Sequence, residues 1–139
     1  MPDAALRLIQ SFTTTLSPGT DLLHSRDEAA EWLHAAGLLP AEAGLSNSEF
    51  AALLRLREAI RDVLAAHGDD REDADAAARL TRTLAEGRLV VIVDPASTVR
   101  LASAARSSYP SVVAGIAVAI ADLAAAGDWL GLTLGSAQS

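Results

Sequence analysis

The amino-acid sequence predicts a mainly α-helical fold, with about five helices around a central apolar C-terminal helix and one small β-hairpin. Three observations lead to this fold class. Apolar residues recur at helical spacing through most of the chain, serine and glycine stand at the expected helix ends, and one β-branched run interrupts the pattern. Because 139 residues fit one hydrophobic core, we expect residues 1–139 to form a single domain.

The first helix is predicted from about Ala4, where apolar side chains recur every three or four residues. These side chains are Leu6, Ile9, Phe12 and Leu16. The three consecutive threonines at residues 13–15 weaken the end of this helix, because β-branched side chains lose χ1 freedom there. The sequence Ser-Pro-Gly-Thr at residues 17–20 is typical of a turn.

The second and third helices are each predicted to open at a capping box. Ser25 and Ser46 are both followed three residues later by Glu, so that each side chain can satisfy a backbone donor of the other residue. Gly37 is expected to end the second helix in the left-handed conformation. The third helix has the longest apolar pattern in the chain and is expected to stop at Gly68.

A fourth helix and a β-hairpin follow. The fourth helix is expected to stop at Gly87. Its predicted apolar face is Ala77, Leu80 and Leu84. The β-branched run "LVVIV" at residues 89–93, turn residues at 94–97 and a second short run at 98–101 together predict the hairpin.

The last helix begins near Pro110 and is apolar on nearly every face, as is typical of a central, buried helix. We therefore expect Ile120 to lie in the core. Gly127 is expected to end this helix, and residues 129–135 are predicted to form a short extended tail.

The composition limits the partners of the chain. There is no cysteine, so disulfides and thiolate-bound zinc or iron–sulfur sites are excluded, and we expect neither a metal nor a cofactor. All eleven basic residues are arginine and the net charge is −7, so this chain alone is not expected to bind duplex DNA. The sequence has no predicted signal peptide and no apolar run long enough to span a membrane, so we expect a cytoplasmic protein with no membrane partner. The alanine and arginine bias resembles the codon usage of a GC-rich bacterial genome.

Motifs for catalysis or metal binding are weak. The sequence contains no glycine-rich phosphate loop, no nucleophile elbow and no zinc-protease motif, and no catalytic Ser/His/Asp set can be assembled, so we expect no enzyme. Glu31 and His34 share a helix face and could bind a metal with His24 or Asp27, but solvated surface residues are the more common case. The acidic residues within 69–75 could hold a cation, but their spacing lacks the alternate acids, central glycine and closing glutamate of an EF-hand loop, so compensation of the dipole of the fourth helix is the favoured interpretation.

Arg57 and Arg61 form the strongest candidate binding pair. They lie four residues apart beside the apolar stripe of the long helix, so two guanidinium groups could clamp an anionic ligand. We place Thr14 and Thr15 of the first helix opposite them and Trp32 beside them as the candidate ligand-binding residues. In the alternative interpretation the arginines form intramolecular ion pairs, the threonines bond to their own helix and the tryptophan packs in the core.

Three segments resemble the ABATE domain when they are taken in order. They are "LIQSFTTTL" at residues 8–16, "DLLHSRDEAAEWLHAAGL" at 21–38 and "LLRLREAIRDVLAAHG" at 53–68. This domain is the N-terminal part of the CGNR zinc-finger proteins, a family of proposed stress-induced transcription regulators. The resemblance covers about residues 6–130 and implies the same order of helices and hairpin.

The chain departs from the family pattern in two ways. The first family motif reads Phe-x-Asn-Thr; Phe12 and Thr15 match it, but Thr14 stands in place of the asparagine, which puts any role of that amide in doubt. Family members usually continue into a cysteine-rich finger that is believed to bind DNA, and no such finger lies within residues 1–139. From the resemblance we expect the chain to be either a shortened form or a member without a finger.

The resemblance implies a regulatory or ligand-sensing domain that would contact DNA only through an attached finger. Two alternatives remain open. The exposed edge of the predicted hairpin could pair with a second copy, which would make the chain a dimerisation or protein-interaction module. A pocket beside the long helix could instead serve a small, cofactor-free enzyme, because a fold alone does not establish a function.

Overall fold

The computed structural model describes residues 2–87, 89–103 and 109–134, which form five helices and two small antiparallel sheets. The helices are α1 (Pro2–Thr13), α2 (Arg26–Ala35), α3 (Asn47–Gly68), α4 (Ala74–Leu84) and α5 (Tyr109–Ala125). The strands are β1 (Leu16–Ser17), β2 (Thr20–Asp21), β3 (Leu89–Val93) and β4 (Val99–Ser103). The mainly α-helical fold class is confirmed. In these ranges no helix combines the length and the apolarity needed to cross a membrane.

The sequence predicted one hairpin, and the described residues contain two. β3 and β4 pair around residues 94–97 as expected. The second, much shorter sheet joins β1 and β2 around residues 17–20, with Leu16 opposite Asp21. Strands of two residues show no alternation that a sequence pattern could reveal, so only the turn was predictable.

The hydrophobic core lies mainly between α1, α3 and α5. α1 packs against α5 and α3, while α4 contacts both α3 and α5 and α2 lies against α3. Burial of each aliphatic side chain contributes about 1.5–3 kcal/mol, so this cluster is the main stabilising element of the fold. Its fully buried members include Ile9, Phe12, Leu33, Leu53, Leu56, Ile60, Leu64, Val112, Val113, Ile116 and Leu123.

Helix α5 is central along most of its length, but the prediction for Ile120 was wrong. Ile120 is only half-buried and packs against the edge of the core. Val113 and Ala117 precede Ile120 at helical spacing and are buried, so the spacing of apolar residues does not separate Ile120 from the core. The physical reason is tertiary: the neighbouring helices cover α5 less completely at Ile120 than at Ile116.

Helix α4 and Gly87 also differ from their predicted roles. The buried face of α4 contains Ala76 and Leu80, whereas Ala77 is exposed, because it lies about 100° around the helix from Ala76. Gly87 is not left-handed. A Cβ atom added there would lie 2.7 Å from the backbone nitrogen of Ala114, so this glycine is needed for the close approach of the chain to α5.

The two predicted capping boxes differ in completeness. At Ser46 both bonds form: its hydroxyl accepts from the Glu49 amide at 3.1 Å, and its own amide donates to Glu49 Oε1 at 2.8 Å. At Ser25 the hydroxyl accepts from the Glu28 amide, but the Glu28 carboxylate accepts from that hydroxyl instead of from the backbone. The start of α3 is therefore capped twice and the start of α2 once.

The ends of α2 and α3 use different residues for the same turn. Gly37 is left-handed after α2, as predicted, with φ of 75°. Gly68 is the last residue of α3, but the left-handed residue is Asp70, with φ of 51°. The Arg71 amide donates to the Ala66 carbonyl at 3.1 Å, which completes the helix end. Asp tolerates this conformation better than most residues with a Cβ atom.

The segment after α5 is not extended. The Leu132 amide donates to the Trp129 carbonyl, so the chain turns there, and the Leu132 side chain is buried. His67 of α3 contacts the Leu132 carbonyl at 3.0 Å through Nδ1 and meets the Trp129 ring edge-on. These contacts hold the segment against α3, which explains the error; Gly135 lies outside the described residues.

Candidate functional site

Arg57 is a buried cation at the contact between α1, α3 and the β1–β2 hairpin. It is only 4% exposed, although it carries a permanent charge. Its Nη1 and Nη2 atoms donate to the two carboxylate oxygens of Asp21 at 2.7 and 3.1 Å, and Nη1 also donates to Thr15 Oγ1 at 3.1 Å. This forked geometry offsets much of the desolvation penalty of the guanidinium group.

Arg61 lies one turn further along α3 and holds the end of α1. Its Nη1 atom donates to the carbonyl of Thr13 at 2.6 Å and to that of Leu16 at 3.2 Å. Thr13 is the last residue of α1, where helix carbonyls lack intrahelical donors. A cation at this position also interacts favourably with the helix dipole.

The threonines after α1 bond mainly to their own helix. The hydroxyl of Thr14 donates to the Gln10 carbonyl at 2.7 Å, and the hydroxyl of Thr15 donates to the Phe12 carbonyl at 2.6 Å. Trp32 packs against Phe12, with ring centroids 5.7 Å apart. The structure thus brings Arg57, Arg61 and Thr15 together, while Thr14 and Trp32 contact other parts of α1. A ligand role for these five residues stays a prediction.

Asp21 completes this cluster, and the sequence analysis did not identify it. Its Oδ1 atom also accepts from the Leu23 amide at 2.9 Å. The hydrogen bonds from Arg57 lower the pKa of the Asp21 carboxyl group. Burial raises this pKa, but its effect is smaller. The only local signal was an aspartate directly after a predicted turn. We call Arg57, Arg61, Thr15 and Asp21 the arginine junction.

A groove lies on a neighbouring face of α3, where this helix packs against α4. It has a volume of about 370 Å³. Its lining residues, which define the α3–α4 groove, are Leu54, Arg55, Glu58, Ala59, Arg79, Arg82 and Thr83. Most of its surface is apolar, and three of the eleven arginines lie at its edges. The combination of an apolar surface and a few charged groups is typical of small-molecule sites.

The arginines of the α3–α4 groove differ in their partners. Arg79 Nη1 donates to Asp62 Oδ2 at 2.7 Å on the surface. Glu58 Oε2 lies 3.8 Å from the Nε atoms of both Arg57 and Arg61, so Glu58 connects the groove with the arginine junction. Within the described part of the chain, Arg55 and Arg82 form no ion pair.

Tyr109 is a buried polar residue that the sequence analysis did not select. Its hydroxyl group finds no hydrogen-bond partner among the described residues. Burial raises the pKa of this phenol, and the negative charge of Glu86 raises it further, whereas Arg55 acts in the opposite direction. Tyr109 therefore stays neutral at any physiological pH.

Two of the residues considered for metal binding, His34 and Asp73, instead contact other groups of the protein. His34 Nε2 contacts the Ala43 carbonyl at 2.7 Å. In the acidic run, Asp73 caps α4 by accepting from the Ala76 amide, and Arg71 pairs with Asp73. Over the described ranges, no group of three or more His, Asp or Glu side chains is arranged to hold a metal ion.

One face of the β3–β4 hairpin is apolar and exposed. Residues that pair across antiparallel strands share a face, as do alternate residues of one strand. The pairs Val91–Leu101 and Val93–Val99 therefore lie on the same side. The exposed residues on that side, which we call the hairpin face, are Leu89, Val91, Val93, Val99 and Leu101. Exposed apolar patches of this kind are typical of contact surfaces.

Comparison with models of known protein families gives a match over most of the chain. The model of the ABATE family, described as "Putative stress-induced transcription regulator", matches residues 3–127. The match includes the arginine junction, the α3–α4 groove and the hairpin face. No curated protein and no solved structure matches the chain significantly.

Replacement of Asp21 by alanine should destabilise the protein strongly, because it removes the only carboxylate among the described residues that accepts hydrogen bonds from the buried Arg57 cation. We expect a loss of roughly 3 kcal/mol in the free energy of unfolding. Asp62→Ala is the matched control: it breaks an ion pair that is nearly half exposed at both ends, and should cost less than about 1 kcal/mol. Urea denaturation of both variants measures the difference. Equal losses would show that the arginine junction is no more important than a surface ion pair.

The same carboxylate should make stability depend on pH. Because the folded state lowers the pKa of Asp21 below its unfolded value, the stabilisation is complete above the unfolded pKa and is lost as the pH falls through the folded pKa. The difference in unfolding free energy between the native protein and Asp21→Asn should therefore be constant near neutral pH and shrink below about pH 4. A difference that persists unchanged at lower pH would contradict this linkage.

Proposed function

The chain belongs to the ABATE family, and from this we propose that it is a regulatory domain that senses a small molecule in the α3–α4 groove. The family description supports a role in transcriptional regulation. We expect any contact with DNA to come from an attached zinc finger, because a net charge of −7 repels a phosphate backbone.

The groove itself is the observation that carries the proposal. Its volume of about 370 Å³ lies within the range of 300–1,000 Å³ that is usual for small-molecule sites. Both walls are helices, and sites on helices are held more precisely than sites on loops. The buried contacts of Arg57, which lies one turn from Leu54, hold α3 and with it the wall that carries Leu54 and Ala59.

Ligand binding in the groove could also affect more distant parts of the molecule through α4. α4 forms one wall and contacts α5 as well as α3, and Gly87 brings the chain against α5 just before the β3–β4 hairpin. Binding across the groove would therefore favour one position of α4 relative to α3. A movement of α4 would displace the residues at the start of the β3–β4 hairpin. Ligand binding would then change the position of the hairpin face, to which a partner could bind.

Screening by NMR tests the proposal. A library of small metabolite-like compounds should contain members that shift the backbone amide signals of Leu54, Ala59 and Thr83 in the ¹⁵N-labelled protein. Thr83→Trp should abolish this binding by filling the groove. Thr81→Trp is the control, because both hydroxyls bond to carbonyls four residues earlier on α4 but Thr81 does not line the groove. A library without any hit at these amides, or hits that survive Thr83→Trp, would argue against ligand sensing at this place.

The hairpin face favours a second candidate function, pairing with another copy of the chain. This face carries no charged residue, whereas the molecule as a whole is acidic, so it is a surface where two copies meet without charge repulsion. In the described sheet β3 pairs only with β4, so its outer edge could pair antiparallel with β3 of a second copy. Symmetric contacts of this kind are the usual basis of homodimers.

Sedimentation analysis tests this pairing. The native chain should show a concentration-dependent rise in mass towards a dimer, and Val91→Lys should shift it to the monomer by placing a charge in the hairpin face. Val90→Lys introduces the same charge on the opposite side of the same strand and should leave the dimer largely intact. A native chain that is monomeric at every concentration would exclude this function.

A further inference from the structure

We infer that the α3–α4 groove binds a small amphipathic anion, with an acidic head group between Arg55 and Arg82 and an apolar body against Leu54 and Ala59. The inference rests on the proposed function, because it names the chemical class of the molecule that the groove would sense. It places the ligand on the α4 side of the long helix, in a groove that Arg57 and Arg61 do not line.

The charge balance of the groove supports an anionic head group. The chain has 18 acidic and 11 basic residues, so acidic partners for an arginine are abundant. Arg57, Arg61, Arg71 and Arg79 each lie within 4 Å of a carboxylate. Among the described residues Arg7, Arg26, Arg55, Arg82 and Arg100 do not, and of these five only Arg55 and Arg82 line this groove, from its two helices. Two guanidinium groups without a counter-ion can form charge-assisted hydrogen bonds to one carboxylate or phosphate.

The remaining lining residues define the rest of the ligand. Leu54 and Ala59 supply apolar surface beside the arginines, so a purely inorganic ion would leave most of the groove empty. Glu58 is 52% exposed and negatively charged, and it disfavours a second acidic group at the α3 side. Arg79 already forms an ion pair with Asp62, so it is not counted as a partner of the ligand. A molecule with one acidic head and one apolar body fits this arrangement best.

Three compounds of one shape test the charge requirement. 1-Naphthoate carries a carboxylate, 1-naphthyl phosphate a phosphate, and 1-naphthalenemethanol a neutral hydroxyl group. We expect both anions to shift the amide signals of Leu54, Ala59 and Thr83, and at least one to bind about tenfold more tightly than the alcohol. The affinity of the anions should fall as salt concentration rises. The better of the two anions identifies the preferred head group.

Variants separate the groove from the rest of the surface. Arg55→Gln and Arg82→Gln should each weaken binding of the better anion by about fivefold or more, with little change in melting temperature, because both side chains are exposed. Arg100→Gln removes the same charge on the exposed β4 strand and should leave the affinity unchanged.

The outcomes distinguish this inference from the proposed function. If the alcohol binds in the groove as tightly as the anions, the groove still binds small molecules but the requirement for an anion is wrong. If all three variants weaken binding equally, the arginines act only through net charge and the inference fails. If none of the compounds, and no member of the metabolite library, shifts the groove amides, both the inference and the sensing function fail. Shifts confined to the hairpin face would show adventitious apolar binding and would also overturn the inference.

Discussion

The buried guanidinium group of Arg57 is the constraint on which the arrangement of α1, α3 and the β1–β2 hairpin depends. A cation in a protein interior is tolerated only when its donors meet acceptors in good geometry. Here two carboxylate oxygens of Asp21 and the hydroxyl group of Thr15 supply three acceptors from one short segment, while the buried Nε atom finds no hydrogen-bond partner among the described residues. That segment must therefore fold back over α3, and the tight turn between β1 and β2 is the shortest way for the chain to do so.

The sequence predicted the helices and their starts well, because helical periodicity and capping residues are local properties. Ser46 illustrates this, since both of its capping bonds involve a residue only three positions away. Features fixed by distant contacts could not be predicted. Asp21 lies 36 residues from Arg57, and the need for glycine at Gly87 follows from the backbone of Ala114. Ile120 differs from Ile116 only in how neighbouring helices cover α5.

The candidate site was predictable only in part. The spacing of Arg57 and Arg61 indicated that they act together, and the structure does bring them to the same end of α1. Their partners are groups of the protein itself, which no pattern within α3 reveals. Arg55 and Glu58, in contrast, are like any solvated charges of a long helix when the sequence is considered alone. They line a groove only because α4 packs alongside, and the position of α4 is a property of the tertiary structure.

The exposed β3 strand has a consequence for the behaviour of the protein in solution. Residues 89–93 combine high β-propensity with an absence of charge and of proline, which is the composition of segments that form cross-β aggregates. Most soluble proteins protect such an edge with charged residues, and here the nearest described charges are Asp94 in the turn and Arg100 on the neighbouring strand. We therefore expect solubility at high concentration to depend on whether the edge of β3 is paired or shielded. With this edge exposed, the domain would be prone to form fibrils.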